Sequence, residues 1–191
     1  VLFDSPAGNL VAGDTNVAYD VFIRDMQGGI QRVSTDSNGI QADASSQNAT
    51  FSADGRYVVF SSAAGNLVAG DTGFFSDVFV KDLQTGAIQR VSTDASGNPG
   101  NGHSGEARFS PDGLHIVFTS NATNLVAGDT NGQSDIFVKD LGLVLDTARG
   151  SKFPLPLAST AHQMFMQASS AGHGREDDSA VIKIFPGIQL P

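Results

Sequence analysis

The chain contains no cysteine, so it can form neither a disulfide framework nor a thiolate nucleophile or metal site. Basic residues are also scarce, with 11 Lys and Arg against 20 Asp and Glu and a formal net charge of −9. A nucleic-acid partner is therefore not expected, because phosphate contacts require Lys and Arg. No apolar run approaches the roughly 20 residues of a membrane-spanning helix. Neither an initiator Met nor a signal peptide opens the chain, which predicts a truncated amino end.

A heptapeptide, Asn-Leu-Val-Ala-Gly-Asp-Thr, occurs three times, at residues 9–15, 66–72 and 124–130. Flanking segments recur in the same phase, and a fixed period of 57 to 58 residues is typical of repeat architectures such as propellers. All of the excess negative charge lies in this part, since residues 1–141 hold 16 acidic and 7 basic side chains. The repeats divide into a partial copy (1–50), a full copy (51–108) and a second partial copy (109–141).

Residues 51–108 can be interpreted as one four-stranded unit. The predicted elements are a turn at Asp54-Gly55, strands at 49–52, 56–62, 77–83 and 87–93, and a turn at 84–86. In residues 57–60 and 78–80 both alternating faces are apolar, so these strands must be covered on both sides. Four-stranded sheets stacked face to face provide that environment, which is typical of propeller blades.

The words Phe-Ser-Ala-Asp-Gly at 51–55 and Phe-Ser-Pro-Asp-Gly at 109–113 each precede an apolar strand. They resemble the repeat of TolB-like β-propellers. The resemblance implies a mainly β fold, an incomplete propeller of about 2.4 four-stranded blades, since closure takes about four to eight blades. It also implies a non-enzymatic binding or scaffold module of the bacterial periplasm or exterior, with a protein, peptide or glycan ligand. Open blade edges predict self-association.

The repeat pattern stops after residue 141. Phe137, Leu141, Val144, Leu145 and Ala148 fall at helical spacing, which predicts a helix in place of the next strand. Further helices are predicted at 157–171 and 179–185. The second domain is thus a small α-helical segment, 142–191, in which four acidic and four basic residues balance.

Four stretches within residues 136–191 resemble the carboxy-terminal helical domain of β-hydroxyacid dehydrogenases, of the 3-hydroxyisobutyrate and L-threonate dehydrogenase type. They are Lys-Asp-Leu-Gly-Leu-Val-Leu-Asp at 139–146, Pro-Leu-Pro-Leu at 154–157, Ala-His-Gln-Met-Phe at 161–165 and Glu-Asp-Asp-Ser-Ala-Val-Ile-Lys-Ile-Phe at 176–185. The resemblance implies a cytoplasmic enzyme that uses NAD or NADP. It also implies substrate- or cofactor-proximal roles for Lys139, Asp140, Asp177, Asp178 and Ser179.

No catalytic residue is predicted for this chain, because the cofactor domain of that family and the helix with its catalytic lysine have no counterpart here. The alternative interpretation is that Lys139 is an exposed strand residue, equivalent to Lys81 and Arg24 in the other copies. Residues 136–141, Ile-Phe-Val-Lys-Asp-Leu, match both families. A chimera joined at this hexapeptide is therefore a hypothesis that a DNA read across the junction tests.

Acidic and amide side chains alternate from the Asp of the heptapeptide onward in the third and first copies, a pattern by which a tight loop can direct oxygens at calcium. The candidate ligands are Asp129, Asn131 and Asp135 in the third copy, and Asp14, Asn16 and Asp20 in the first. The second copy keeps only Asp71 and Asp77. The alternative is a turn whose Asp and Asn side chains bind their own backbone.

A literal G-x-G-x-x-G occurs at 100–105. A dinucleotide site requires this motif between a strand and a helix. Here a Pro-Asp-Gly turn follows at 111–113, which favours a connection between blades.

Overall fold

The computed structural model describes residues 1–71 and 75–140. Contacts divide the chain into Val1–Leu141 and Gly142–Pro191, and the described residues all belong to the first unit. The described ranges contain ten strands and no helix: β1 (Leu2–Ser5), β2 (Asp20–Arg24), β3 (Ile30–Arg32), β4 (Ser46–Phe51), β5 (Tyr57–Ser62), β6 (Asp77–Asp82), β7 (Ile88–Arg90), β8 (Ser104–Phe109), β9 (His115–Ser120) and β10 (Asp135–Asp140). The helices predicted within 142–185 lie outside the described residues.

The strands form three antiparallel sheets, ordered β1-β2-β3, β4-β5-β6-β7 and β10-β9-β8. The middle sheet confirms the four-stranded unit predicted from residues 51–108. Its flanking sheets repeat the same pairings, since Phe3 faces Phe22, Phe60 faces Phe79 and Phe118 faces Phe137. The described residues are therefore an all-β array of propeller-type blades.

Strand β4 begins at Ser46, three residues before the predicted start at residue 49. A β-bulge separates the pairing of Gln47 from that of Thr50, and Asn48 adopts a φ of 58° there. The bulge interrupts the alternation of apolar and polar residues, so the sequence pattern hides the first half of the strand. The predicted strand 87–93 is shorter in the structure and spans Ile88–Arg90.

The middle sheet is buried on both faces, as the sequence predicts. All six residues of β5 and all six of β6 are buried. On one face Val58, Phe60 and Phe79 form one apolar cluster with Val21 of β2 and with Val33, which directly follows β3. Burial of each such side chain contributes about 1.5–3 kcal/mol, so this contact holds the first two sheets together.

On the opposite face the middle sheet contacts β8. A Cβ placed on Gly105 would lie 3.4 Å from Ser61 Oγ, and Thr50 Oγ1 lies 3.5 Å from the carbonyl oxygen of Ala107. The three sheets therefore follow one another face to face. Within the described ranges, no helix has the length and hydropathy needed to cross a bilayer.

Candidate functional site: acidic loops and inter-sheet lysines

The loop after the first heptapeptide is held by a buried ion-pair network. Arg32 lies between two carboxylates, with Nη2 3.2 Å from Asp14 Oδ2 and Nε 3.5 Å from Asp20 Oδ2. Ser34 donates a hydrogen bond of 2.6 Å to Asp20, and Gln41 donates to both carboxylates at 2.8 and 3.1 Å. The side chains of Asp14 and Asp20 are 3% and 0% exposed. Each carboxylate is thus already paired.

The second copy repeats this network. Arg90 Nη2 lies 2.7 Å from Asp71 Oδ2, its Nε lies 3.4 Å from Asp77 Oδ2, and Ser92 donates a 2.6 Å hydrogen bond to Asp77. Pro99 stands in the position of Gln41, so the amide contacts are lost. Burial raises the pKa of Asp77, and the opposing effects of Ser92 and Arg90 do not cancel it.

These contacts bear on the calcium hypothesis for the first loop. The guanidinium of Arg32 contacts both Asp14 and Asp20 and balances one of their two negative charges. Asn16 donates from its side-chain amide to the carbonyl of Ala42 and accepts from the N–H of Ala18. Its oxygen stabilises a turn, as in the alternative interpretation.

The third loop differs because no Arg or Lys of the described residues forms an ion pair with Asp129 or Asp135. Asn131 donates to both Asp135 oxygens at 3.1 and 3.3 Å, and it accepts from the N–H of Gln133 at 2.7 Å. The described part of the chain contains no group of three His, Cys, Asp or Glu side chains suited to a metal ion. The geometry thus lends calcium no support, and the ligand set remains a sequence prediction.

A second recurring contact joins each sheet to the previous one through a lysine. Lys81 of β6 is only 6% exposed, and its Nζ donates to Thr35 O at 2.9 Å, Thr35 Oγ1 at 3.1 Å and Asp36 O at 2.7 Å. Burial lowers the pKa of Lys81, against the opposing charge of Asp36. The carboxylate of Asp36 accepts from the backbone N–H groups of Asn38 and Ile40, which fixes the turn that receives the lysine.

Lys139 of β10 makes the same contact one copy later. Its Nζ donates to Thr93 O at 3.2 Å, Thr93 Oγ1 at 3.0 Å and Asp94 O at 3.1 Å. Asn98 holds the pKa of the Asp94 carboxyl below its usual value. An ammonium has three N–H donors, and all three of Lys139 have acceptors here. The structure therefore places Lys139 as the counterpart of Lys81, engaged with the neighbouring sheet rather than simply exposed.

The remaining predicted dehydrogenase residues are not brought together with Lys139 in the described structure. Asp140 ends β10, next to Lys139 in the sequence and on the opposite face of the strand. Asp177, Asp178 and Ser179 lie outside the described residues. Their proximity to a cofactor stays a prediction.

The G-x-G-x-x-G segment lies at a close contact between chain segments. A Cβ on Gly102 would approach the backbone C and O of Asn121 to 2.8 Å, so only glycine fits. Strand β8 follows at Ser104, and no helix begins there. The segment is thus a connection into the third sheet, as its context predicts.

The interpretation of the acidic loops omitted Arg32 and Arg90, although both lie in an Ile-Gln-Arg-Val-Ser word at residues 30–34 and 88–92. That word repeats in phase with the acidic loops, and a buried carboxylate requires a partner. The repeated Arg at positions 32 and 90 is therefore the sequence feature that could have predicted the ion pairs with the acidic loops.

A family model for the NAD-binding region of NADP-dependent 3-hydroxyisobutyrate dehydrogenase matches residues 119–185. The match begins inside β9 and includes all of β10, so both strands are similar to part of that family. The carboxy-terminal part of the chain thus resembles the NAD-binding region of a hydroxyacid dehydrogenase.

Among curated relatives, the L-threonate dehydrogenase of Cupriavidus necator is 62% identical over 93 residues, which cover 42% of this chain and 31% of that protein. The L-threonate dehydrogenase of Escherichia coli K12 is 62% identical over 77 residues, which cover 39% of this chain and 26% of that protein. The chain thus spans between about a quarter and a third of the length of these relatives.

Solved structures similar to this chain include a putative TolB from Agrobacterium tumefaciens, with a TM-score of 0.44 and 16% identity over 66% of this chain and 39% of that chain. TolB from Acinetobacter baumannii gives a TM-score of 0.44 and 19% identity over 74% of this chain and 27% of that chain.

Proposed function

We propose that the carboxy-terminal part of this chain derives from an NAD(P)-dependent hydroxyacid dehydrogenase of the L-threonate type and retains recognition of the dinucleotide. The observation that carries the proposal is the 62% identity to L-threonate dehydrogenases, together with the family match over residues 119–185. When bound, the nicotinamide would accept or donate the hydride.

We propose that these 191 residues do not themselves transfer hydride to or from a hydroxyacid. Lys139 would have to offer its ammonium to a substrate carboxylate or hydroxyl, but Thr93 and Asp94 accept its three hydrogen bonds. The G-x-G-x-x-G segment leads into β8 rather than into a helix that could face a pyrophosphate. Neither feature fits catalysis in the described arrangement.

The test is a titration of the full chain with NADH and NADPH by calorimetry, followed by assays with L-threonate and each oxidised cofactor. We expect saturable binding of one dinucleotide without turnover. An Asp177→Asn/Asp178→Asn variant should weaken that binding, whereas Lys81→Met should leave it unchanged. Absence of dinucleotide binding would contradict the retained recognition, and turnover would contradict the non-catalytic assignment.

A second function is supported by the repeats, which we propose act as a binding scaffold for a protein, peptide or glycan. In the first two copies the carboxylates of the acidic loops form internal ion pairs with Arg32 and Arg90. These carboxylates therefore stabilise the fold and are not offered to a ligand. Screening the chain against glycan and peptide arrays tests this function. Specific binding that survives Asp177→Asn/Asp178→Asn would support it, and uniformly negative arrays would count against it.

We also infer that residues 136–141 are the point at which the two families meet. Residues 136–140 belong to β10, and the whole range 136–141 lies within the dehydrogenase match. A single DNA read across codons 112–170 tests this inference. Two separate sources for the two sides would establish an assembly join, whereas one continuous gene would establish a natural chain.

A further inference from the structure

Strand β10 is an edge strand of the described third sheet, and it carries two exposed apolar side chains on one face. Its pairing within the described residues is to β9 alone. Ile136 and Val138 are 73% and 64% exposed, whereas Val78 and Val80, their counterparts in β6, are 0% and 8% exposed. Edge strands of natural proteins are normally protected by charge, proline or a covering element. The two exposed side chains of β10, Ile136 and Val138, are both β-branched and apolar. Residues of this type favour strand pairing.

The backbone groups that would accept a new strand can be located from the middle sheet. Val78 donates its N–H to Ser92 Oγ at 3.1 Å and accepts from the N–H of Val91 at 2.7 Å, so its polar groups point away from β5. Ile136 has the same register against β9 that Val78 has against β5. Since these directions alternate along an antiparallel strand, Ile136 and Val138 both direct N–H and C=O groups at the edge that no described strand pairs with.

We propose that β10 pairs antiparallel with β10 of a second copy of this chain, with Phe137 opposite the second copy's Phe137. This register puts Ile136 opposite Val138 twice and supplies four N–H···O bonds between the outward backbone groups. The contact is isologous and closes as a dimer about a two-fold axis.

Neighbouring registers are less favourable. A shift by two residues in one direction places Ile136 opposite Asp140, and a shift in the other direction places Val138 opposite Ser134. Both shifts replace an apolar cross-strand pair with an apolar-polar pair, which weakens sheet pairing. The sequence of β10 therefore selects the register centred on Phe137.

The net charge of −9 opposes association of two copies at low ionic strength. Added salt screens this repulsion, while the backbone bonds and the apolar pairs are short-range. The dimer should therefore strengthen with salt. This dependence distinguishes it from association held by exposed ion pairs, which salt weakens.

The first test measures the dimer dissociation constant of the full chain by sedimentation. Val138→Pro removes one outward N–H donor per copy, and proline is tolerated at a strand edge because the bonds to β9 are kept. We expect dimerisation to weaken by at least about tenfold, a change of roughly 1.4 kcal/mol. Met26→Lys, at a site 92% exposed in the first sheet's hairpin, is the control and should leave the constant unchanged. Far-UV circular dichroism checks that each variant keeps its strands.

The second test uses the absence of native cysteine. Opposed residues of a non-hydrogen-bonded antiparallel pair have Cα atoms about 4.5 Å apart, within the roughly 4.4–6.8 Å that disulfides span. Phe137→Cys should therefore cross-link readily on oxidation. Ile136→Cys should not, because its two copies would lie about 9 Å apart.

Cross-linking at Phe137→Cys alone, together with loss of the dimer in Val138→Pro, would support the proposed pairing. A chain that remains monomeric at its highest soluble concentration would overturn it. So would equal cross-linking at both positions, or a dimer unaffected by Val138→Pro, because the interface would then lie elsewhere.

Discussion

Replacement of Lys81 by methionine tests whether the inter-sheet lysines hold the array together. The substitution keeps the length and apolar stem of the side chain but removes an ammonium that three oxygens accept at 2.7 to 3.1 Å. A hydrogen bond to a charged group is worth about 1.5–3 kcal/mol, and a buried acceptor left without a donor costs about 1–3 kcal/mol. Relief of the buried charge offsets part of this loss. We expect the free energy of unfolding to fall by about 1–3 kcal/mol.

Urea unfolding followed by far-UV circular dichroism measures this change. With a slope of about 1–3 kcal/mol per molar urea, the midpoint should fall by roughly 1 M. Lys139→Met should cost less, about 0.5–1.5 kcal/mol, because its contacts are longer and the side chain is only half-buried. Arg24→Met is the matched control, since the described residues provide Arg24 with no such turn. An unchanged or higher midpoint for Lys81→Met would refute the reasoning.

Three further predictions concern the buried ion pairs and the close contact of Gly102 with Asn121. Arg90→Met leaves the carboxylates of Asp71 and Asp77 buried without their cation and should lower the free energy of unfolding by about 3–5 kcal/mol in urea unfolding. Gly102→Ala forces a Cβ into the backbone of Asn121 at 2.8 Å and should cost about 1–3 kcal/mol in the same measurement. Burial raises the folded-state pKa of Asp77 above 3.8, so its contribution is present below pH 3.8 and is lost as pH rises through the raised value. The free energy of unfolding of the wild type minus that of Asp77→Asn should therefore decrease as pH rises through that window.

Matched controls separate these effects from general loss of stability. Arg56→Met removes an ion pair with Asp82 that is more exposed, and it should cost less than Arg90→Met. Gly105→Ala places its Cβ at an ordinary 3.4 Å from Ser61 Oγ and should be better tolerated than Gly102→Ala. Equal losses within either pair would contradict the assigned contacts. If the free energy of unfolding of the wild type minus that of Asp77→Asn instead increases above pH 3.8, the pKa of Asp77 is not raised by folding.

The sequence predicted the sheet-forming repeat and most strand positions because residues 57–60 and 78–80 are apolar on both faces. It placed the turns correctly at Asp54-Gly55 and at 84–86, where Gly55 and Gly86 have positive φ. The start of β4 was wrong because a bulge at Asn48 breaks the two-residue period that the prediction relies on. Local periodicity reports burial, and it does not report an inserted residue.

The candidate site was predicted less well because its contacts join residues far apart in the sequence. Lys139 has the same partners as Lys81, yet those partners lie 46 residues earlier in each case. Neither side-chain pattern nor turn chemistry predicts such a pair. The acidic loops likewise suggest a metal when viewed alone, and only the fold brings Arg32 to Asp14 and Asp20.

The conformation of residues 135–140 is the central point, because they match a dehydrogenase family while forming a strand of the repeat. Nuclear Overhauser contacts on the isotope-labelled full chain test it most directly. We expect cross-strand contacts between Phe118 and Phe137, whose rings lie 5.7 Å apart, and between Ile116 and Lys139. Helical contacts from Ile136 to Lys139, without contacts to β9, would contradict the blade assignment.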